Sequence, residues 1–137
     1  MKKLALITVI MLLSGFAFGQ ALQKGNLVGT HVMTVTLQPG VTMEKFMEFY
    51  KSKVIPEYEK NFPGVKPYMI KSLRGENKDS FGGFMVFRSE ADRDKYFKPD
   101  GSYTEVGNAS YAKLKPVLDE LAKLGTVTSK YDDWLVL

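Results

Sequence analysis

Residues 53–73 contain an amphipathic helix that runs into Pro63-Gly64 and then becomes a strand. Pro63 sets one turn dihedral and Gly64 has the freedom for the next, so the chain must reverse there. A helix feeding a strand through so short a turn confines this region to folds in which helix and strand are packed neighbours. The elements on either side follow from that corner.

Upstream, residues 30–37 are rich in β-branched side chains and read as the first strand. Met33, Val35 and Leu37 alternate with Val32, Thr34 and Thr36, so both faces are at least half apolar, as in a central strand covered on both sides. Gln38-Pro39-Gly40 ends it. Thr42 is positioned to cap a helix, with Glu44 in the first turn. Met43, Phe46, Met47, Tyr50, Val54 and Tyr58 then recur at helical spacing, and Pro56 within them predicts a kink rather than a stop.

Downstream, residues 67–73 form a second strand with an edge signature, since Pro67 lies near its start and Lys66, Lys71 and Arg74 surround it. A polar loop at 75–79 leads to a third strand at 81–87. Its Gly82-Gly83 pair marks a bulge or a close approach of another group. Ser89-Glu90-Ala91-Asp92 resembles a capping box opening a short helix. After a break at 98–102, a second piece carries Tyr111, Leu114, Val117, Leu118, Leu121 and Leu124, with Pro116 near its start and a stop at Gly125. The last strand spans 126–131 and 134–137, interrupted by Asp132-Asp133.

The order β-α-β-β-α-β is the split βαβ plan. It makes an α+β fold of ferredoxin-like form: a four-stranded antiparallel sheet with the helices on one face and the first and third strands central. Two helices leave the other sheet face bare. A bare face carrying alternate residues of 32–36 and 84–87 calls for a twofold partner, so a homodimer is expected.

The N-terminus reads as a targeting segment. Lys2 and Lys3 precede an apolar run at 4–13, and Ala17 and Gly19 place small residues before a cleavage point near Gly19-Gln20. The run is shorter than the roughly 20 apolar residues of a membrane span. Residues 1–19 are therefore expected to be a signal peptide, 20–29 a lead-in and 30–137 the domain, exported to the periplasm or beyond, with no membrane span in the mature chain. Loss of Lys2 and Lys3 lowers the formal charge from +4 to +2, too small an excess for a nucleic-acid footprint. The sequence holds no cysteine, so the exported domain depends on its core or a partner subunit rather than on disulfides.

Three motifs carry a family resemblance: Val54-Ile55-Pro56 late in the first helix, Phe62-Pro63-Gly64-Val65 at the corner, and Phe87-Arg88-Ser89-Glu90-Ala91 at the third strand's exit. With the element pattern over 29–137, they resemble the dimeric α+β barrel superfamily, which includes antibiotic-biosynthesis monooxygenase-like, EthD-like and NIPSNAP-like domains. The resemblance implies a homodimer with a cleft between sheet and helices. It carries over no catalytic residue: the Asn–Trp–His set of some member monooxygenases has no aligned counterpart here, only His31 and Trp134 as residue types.

His31 is the only histidine, either a proton carrier or haem ligand, or a residue satisfied by a neighbouring backbone group. Tyr50, Tyr58, Tyr68, Tyr103, Tyr111 and Trp134 form an aromatic set suited to line an apolar pocket or to fill a core. The expected site lies near His31, with Tyr50, Tyr68 and Trp134 as its walls. No cofactor and no metal are expected, because metal-ligand spacings and phosphate-loop patterns are absent and Asp132-Asp133 reads as a solvated turn or bulge. Two functions remain open: an exported homodimer that binds, and in one version oxidises or transforms, a small apolar or aromatic molecule, or a non-catalytic dimeric interaction or stress-related module.

Overall fold

The computed structural model describes residues 21–137. The signal-peptide reading of 1–19 and its cleavage point beside Gln20 lie outside the described residues. Strand β1 (Leu27–Leu37) starts three residues before Thr30, so the lead-in is shorter than the sequence suggests. Helix α1 (Met43–Phe49) opens at Thr42, whose hydroxyl accepts from the Lys45 N–H at 3.2 Å.

The chain then makes a π-helical turn (Tyr50–Val54) and continues as helix α2 (Ile55–Asn61). The expected kink at Pro56 takes this form. Proline has no N–H to give and its ring crowds the turn before it, so the preceding turn widens and the Ile55 N–H bonds the Tyr50 carbonyl five residues back.

Strand β2 (Val65–Lys71), strand β3 (Phe81–Phe87), helix α3 (Glu90–Asp94), helix α4 (Glu105–Ala122) and strand β4 (Gly125–Leu135) complete the order. The Ser89 hydroxyl caps α3 by accepting from the Asp92 N–H. Two expectations are corrected here. Helix α4 begins at its Thr104 cap, so Pro116 stands in its interior rather than near its start. Strand β4 runs unbroken through Asp132-Asp133, because both pair with β1, opposite Thr30 and Gly29.

The strand order is β2-β3-β1-β4 and every pairing is antiparallel. This is the ferredoxin-like arrangement of an α+β fold, with β1 and β3 central and β2 and β4 at the edges. Side chains alternate across each strand, so the register assigns every residue to a face. The odd-numbered residues of all four strands face the helices. Two buried clusters lie there, one around Phe62, Phe87, Tyr96 and Leu114, the other around Phe46, Met47, Val54 and Leu121. The even-numbered residues, among them Val32, Tyr68, Ile70, Phe84 and Trp134, form a face that no element among the described residues covers.

Gly82-Gly83 is a close approach and not a bulge. The β1–β3 ladder passes through both without slipping, and a Cβ on Gly82 would stand 2.7 Å from the His31 carbonyl oxygen.

Candidate functional site

The site is built on the helix-covered face of β1 and β4. His31 pairs directly with Tyr131, and their ring centroids are 4.8 Å apart at a 43° tilt. The imidazole Nδ1 lies 3.2 Å from the Ser129 hydroxyl, two residues along β4 on the same face. Gly29 stands opposite Asp133, and a Cβ there would come within 2.9 Å of the Tyr131 ring and 3.3 Å of the Asp133 carboxylate. The missing side chain leaves room for the Tyr131 ring beside β1 and brings its hydroxyl to Asp133, to which it donates a hydrogen bond.

Asp133 also pairs with Arg93 of α3, at 2.9 Å between Oδ2 and Nε. Arg93 is only 4% exposed. Its Nη1 donates to the main-chain carbonyls of Phe97 at 2.9 Å and Lys98 at 2.7 Å, and contacts Asp94 at 3.3 Å. Those carbonyls open the turn that passes over the sheet. Phe97 bridges to Tyr103, the Lys98 N–H donates to the Ser102 carbonyl at 2.7 Å, and the Asp100 carboxylate accepts from the Ser102 N–H and hydroxyl.

Between this turn and the sheet is a cavity of about 350 Å³, lined by His31, Tyr131, Tyr58, Tyr103, Phe97 and Met85, with Phe87, Asp100 and Gly101 completing the wall. Its size is at the lower end of small-molecule sites. Tyr58 comes from α2, stacked on Phe62 at 4.4 Å, and lines the cavity beside Tyr103. Tyr103 is held in turn by Phe97 at 5.2 Å and Tyr111 at 5.0 Å between ring centroids.

Burial sets the protonation of this cluster. It lowers the His31 pKa, and the Asp133 charge opposes the shift only in part. Burial raises Tyr58, reinforced by the neighbouring Tyr103 phenol, and it raises Tyr103 as well. The Tyr131 phenol is pushed up to about 12, first by burial and then by the Asp133 carboxylate that accepts its proton, with Arg93 acting against both. At neutral pH the cavity therefore presents one neutral imidazole and three neutral phenols over an aromatic wall, with the Asp100 carboxylate as its one charged group. Such a lining takes a largely apolar molecule and orients it through one or two hydrogen bonds. Asp133 is occupied by Tyr131 and Arg93, so the Ser129–His31 contact lacks the orienting carboxylate of a hydrolytic triad. Among the described residues no group of three or more His, Asp or Glu side chains is placed to hold a metal ion, and no helix is long and apolar enough to cross a membrane.

The sequence-predicted residues divide between the two faces. His31 lines the cavity. Tyr50 is on the same side, at the start of the π-turn, beside a recess of about 20 Å³ that it shares with His31, Met33 and Gly83. Tyr68 and Trp134 are on the opposite face. The Tyr68 ring stacks on Phe84 at 4.8 Å, and the residue also borders the small recess beside His31 and Tyr50. Trp134 is 61% exposed and donates its indole N–H to the Thr30 hydroxyl at 3.2 Å. Parity explains the separation: Tyr68 pairs with Phe84 and Trp134 with Val28, all in the even-numbered set, whereas His31 is odd. Tyr58 and Tyr103 occupy the positions expected of Tyr68 and Trp134.

The sequence reading gives Tyr131 and Arg93 no place in the site and takes Asp133 for part of a solvated turn or bulge. Asp133 is no solvated turn. The available signal was the two-residue step from Tyr131 to Asp133 on a strand facing Gly29, legible only with the register in hand.

No family model matches the chain, and no curated protein matches it. Solved structures of similar shape include SnoaB, a cofactor-independent oxygenase from Streptomyces nogalater, at 14% identity over 82% of this chain and 94% of that one, with a TM-score of 0.47. A dimeric protein of unknown function and ferredoxin-like fold from Bacteroides fragilis gives 12% identity, coverages of 82% and 98%, and a TM-score of 0.48. A NIPSNAP-family protein of unknown function from Agrobacterium tumefaciens gives 12%, 86% and 95%, and 0.49. The fold assignment made above rests on the strand order of this chain itself.

Proposed function

We propose that the protein is an exported homodimer that binds a small apolar or aromatic molecule in the cavity beneath the helices. The observation that carries this reading is the convergence of His31, Tyr58, Tyr103 and Tyr131 on an open space of about 350 Å³. A cavity closed by Phe and Met side chains would favour a purely structural interaction module. Here an imidazole, three phenols and the Asp100 carboxylate edge the space and aromatic rings back it. The lack of a carboxylate partner for His31 favours binding over turnover.

The homodimer is supported by the even-numbered sheet face. Val32, Ile70 and Trp134 are exposed there beside the Tyr68–Phe84 stack, and a second copy with its own bare sheet would cover them. Export is supported by the basic, apolar and small-residue pattern of residues 1–19.

Native mass spectrometry of protein purified from its own host tests the site, followed by equilibrium dialysis against uncharged aromatics such as indole and 2-naphthol. The expected result is a retained small molecule, or binding of a panel member that is weakened at least tenfold in Tyr103→Ala. An empty protein that binds no panel member at millimolar concentration would sink the binding reading and leave the interaction module.

A further inference from the structure

Among the described residues Arg93 is the one buried charged side chain, and no chemistry proposed for the cavity uses it directly. We infer that Arg93 is the positioning residue of the cavity: one guanidinium ties the strand wall, through Asp133 and Tyr131, to the loop wall, through the Phe97 and Lys98 carbonyls. The inference rests on the cavity being the binding site, but the geometry behind it is independent of any ligand.

The two ends of this fork do different work. On the sheet side, Asp133 accepts the Tyr131 hydroxyl, so the phenol's proton points at Asp133 and its ring stays pressed against His31. The Arg93 guanidinium, 2.9 Å away, holds that carboxylate beside the phenol. On the loop side, Nη1 holds two consecutive carbonyls, at 2.9 and 2.7 Å, at the point where the chain leaves α3 for the turn over the cavity. The guanidinium plane also stands over the Phe97 ring, 5.6 Å from its centroid, which fixes the aromatic wall as well as the main chain. A planar, permanently charged fork can serve both sides at once. A lysine ammonium has the charge but not the reach in two directions. Gly29 is part of the same device, since any side chain there would displace Tyr131 and Asp133 together.

A burial role alone would be met by any group that fills the space, and its loss would loosen the whole domain. A positioning role predicts a local and two-sided effect. The loop carries suitable reporters, because the N–H groups of Lys98, Gly101 and Thr104 are hydrogen-bonded within the turn or to Tyr96. Hydrogen exchange of the full chain, compared between wild type, Arg93→Lys and Asp133→Asn, is the test. In Arg93→Lys, exchange at residues 98–104 should rise about tenfold or more, the equivalent of losing one charge-assisted bond, while β1 and β3 amides keep wild-type rates. In Asp133→Asn, the Tyr131 and His31 ring signals should move in NMR spectra, and loop exchange should rise several-fold although no loop contact was altered.

Unchanged loop exchange in Arg93→Lys, or a uniform rise across the domain, would overturn the inference. If Arg93→Lys does not fold, Asp133→Asn decides alone: a loop that exchanges at the wild-type rate means the two walls are not coupled. None of these readouts needs a ligand, so a failure of the binding experiment above leaves this one intact, and the reverse also holds.

Discussion

The two faces of the sheet are made from the same four strands and differ in almost everything else. On the covered face, Leu27, Val35, Leu37, Val65 and Phe87 pack against side chains from the helices, and burial is close to complete at Phe62 and Leu114. The cavity opens on this same face, between the His31–Tyr131 pair and the turn that carries Phe97 and Tyr103. The bare face is itself divided. At one end Thr34 and Thr36 pair with Thr128 and Thr126, a polar ladder content in water. At the other, Val32, Tyr68, Ile70, Phe84 and Trp134 present apolar and aromatic surface. Each strand thus carries two sets of instructions at a period of two, one for the fold and one for assembly.

If the covered face holds the fold together, truncation there should be costly and truncation of the threonine ladder should not. Phe62→Ala should destabilise by about 3–5 kcal/mol in urea unfolding, the usual cost of emptying a fully buried aromatic site. Thr128→Ala should stay within about 0.5 kcal/mol. Equal effects would break the comparison. The next largest effect concerns assembly. Val32→Arg places an unpaired charge in the proposed dimer interface and should weaken association by about 2 kcal/mol or more. Light scattering should show the dimer lost, with circular dichroism unchanged. A wild-type protein that is monomeric at micromolar concentration would end the dimer proposal outright.

A smaller effect sharpens the picture inside the cavity. Tyr58→Phe removes one phenolic hydroxyl from the cavity wall. The expected cost to binding of an oriented aromatic probe is about 1 kcal/mol, measured by calorimetry. Tyr68→Phe on the opposite face should leave binding unchanged, and a loss there would restore Tyr68 to the site.

Much of the fold was legible because its signals are local. Thr42 and Ser89 cap their helices, Pro63-Gly64 turns the chain, and the apolar faces of β1 and β3 mark them as central. The long start of α4 was not legible, because Thr104-Glu105 caps a helix whose first turns carry Gly107 and Asn108, residues that favour loops in isolation. The site was half legible for a different reason. His31 and Tyr50 lie on the helix-covered face, where the sequence places them. Placing Tyr68 and Trp134 required the register, which pairing across β1–β4 and β2–β3 sets and a single strand does not reveal. The Arg93–Asp133 pair joins residues forty apart, and no local pattern announces it.

The smallest expected effect is a pH dependence of stability carried by His31. Burial lowers its pKa in the folded protein below the ordinary 6.5, and of the groups that face it, Ser129, Tyr131 and Asp133, only the Asp133 charge pulls the other way. The unfolded chain therefore binds more protons than the folded one once the pH drops to about 6.5. Stability should be fully present above that value and should decline as the pH falls through it toward the lower folded pKa. His31 is the sole histidine, ordinary carboxylates titrate mainly below about pH 5, and the α-amino group above about 7.5, so the slope between pH 7 and 5.5 belongs to this residue alone. Urea unfolding at fixed protein concentration across that range measures it, the concentration being held because dimerisation would otherwise enter. His31→Gln keeps a neutral hydrogen-bonding side chain toward Ser129 and should flatten the slope. A protein that gains stability on acidification would mean that the Asp133 charge outweighs burial, and the imidazole would then enter the cavity charged rather than neutral.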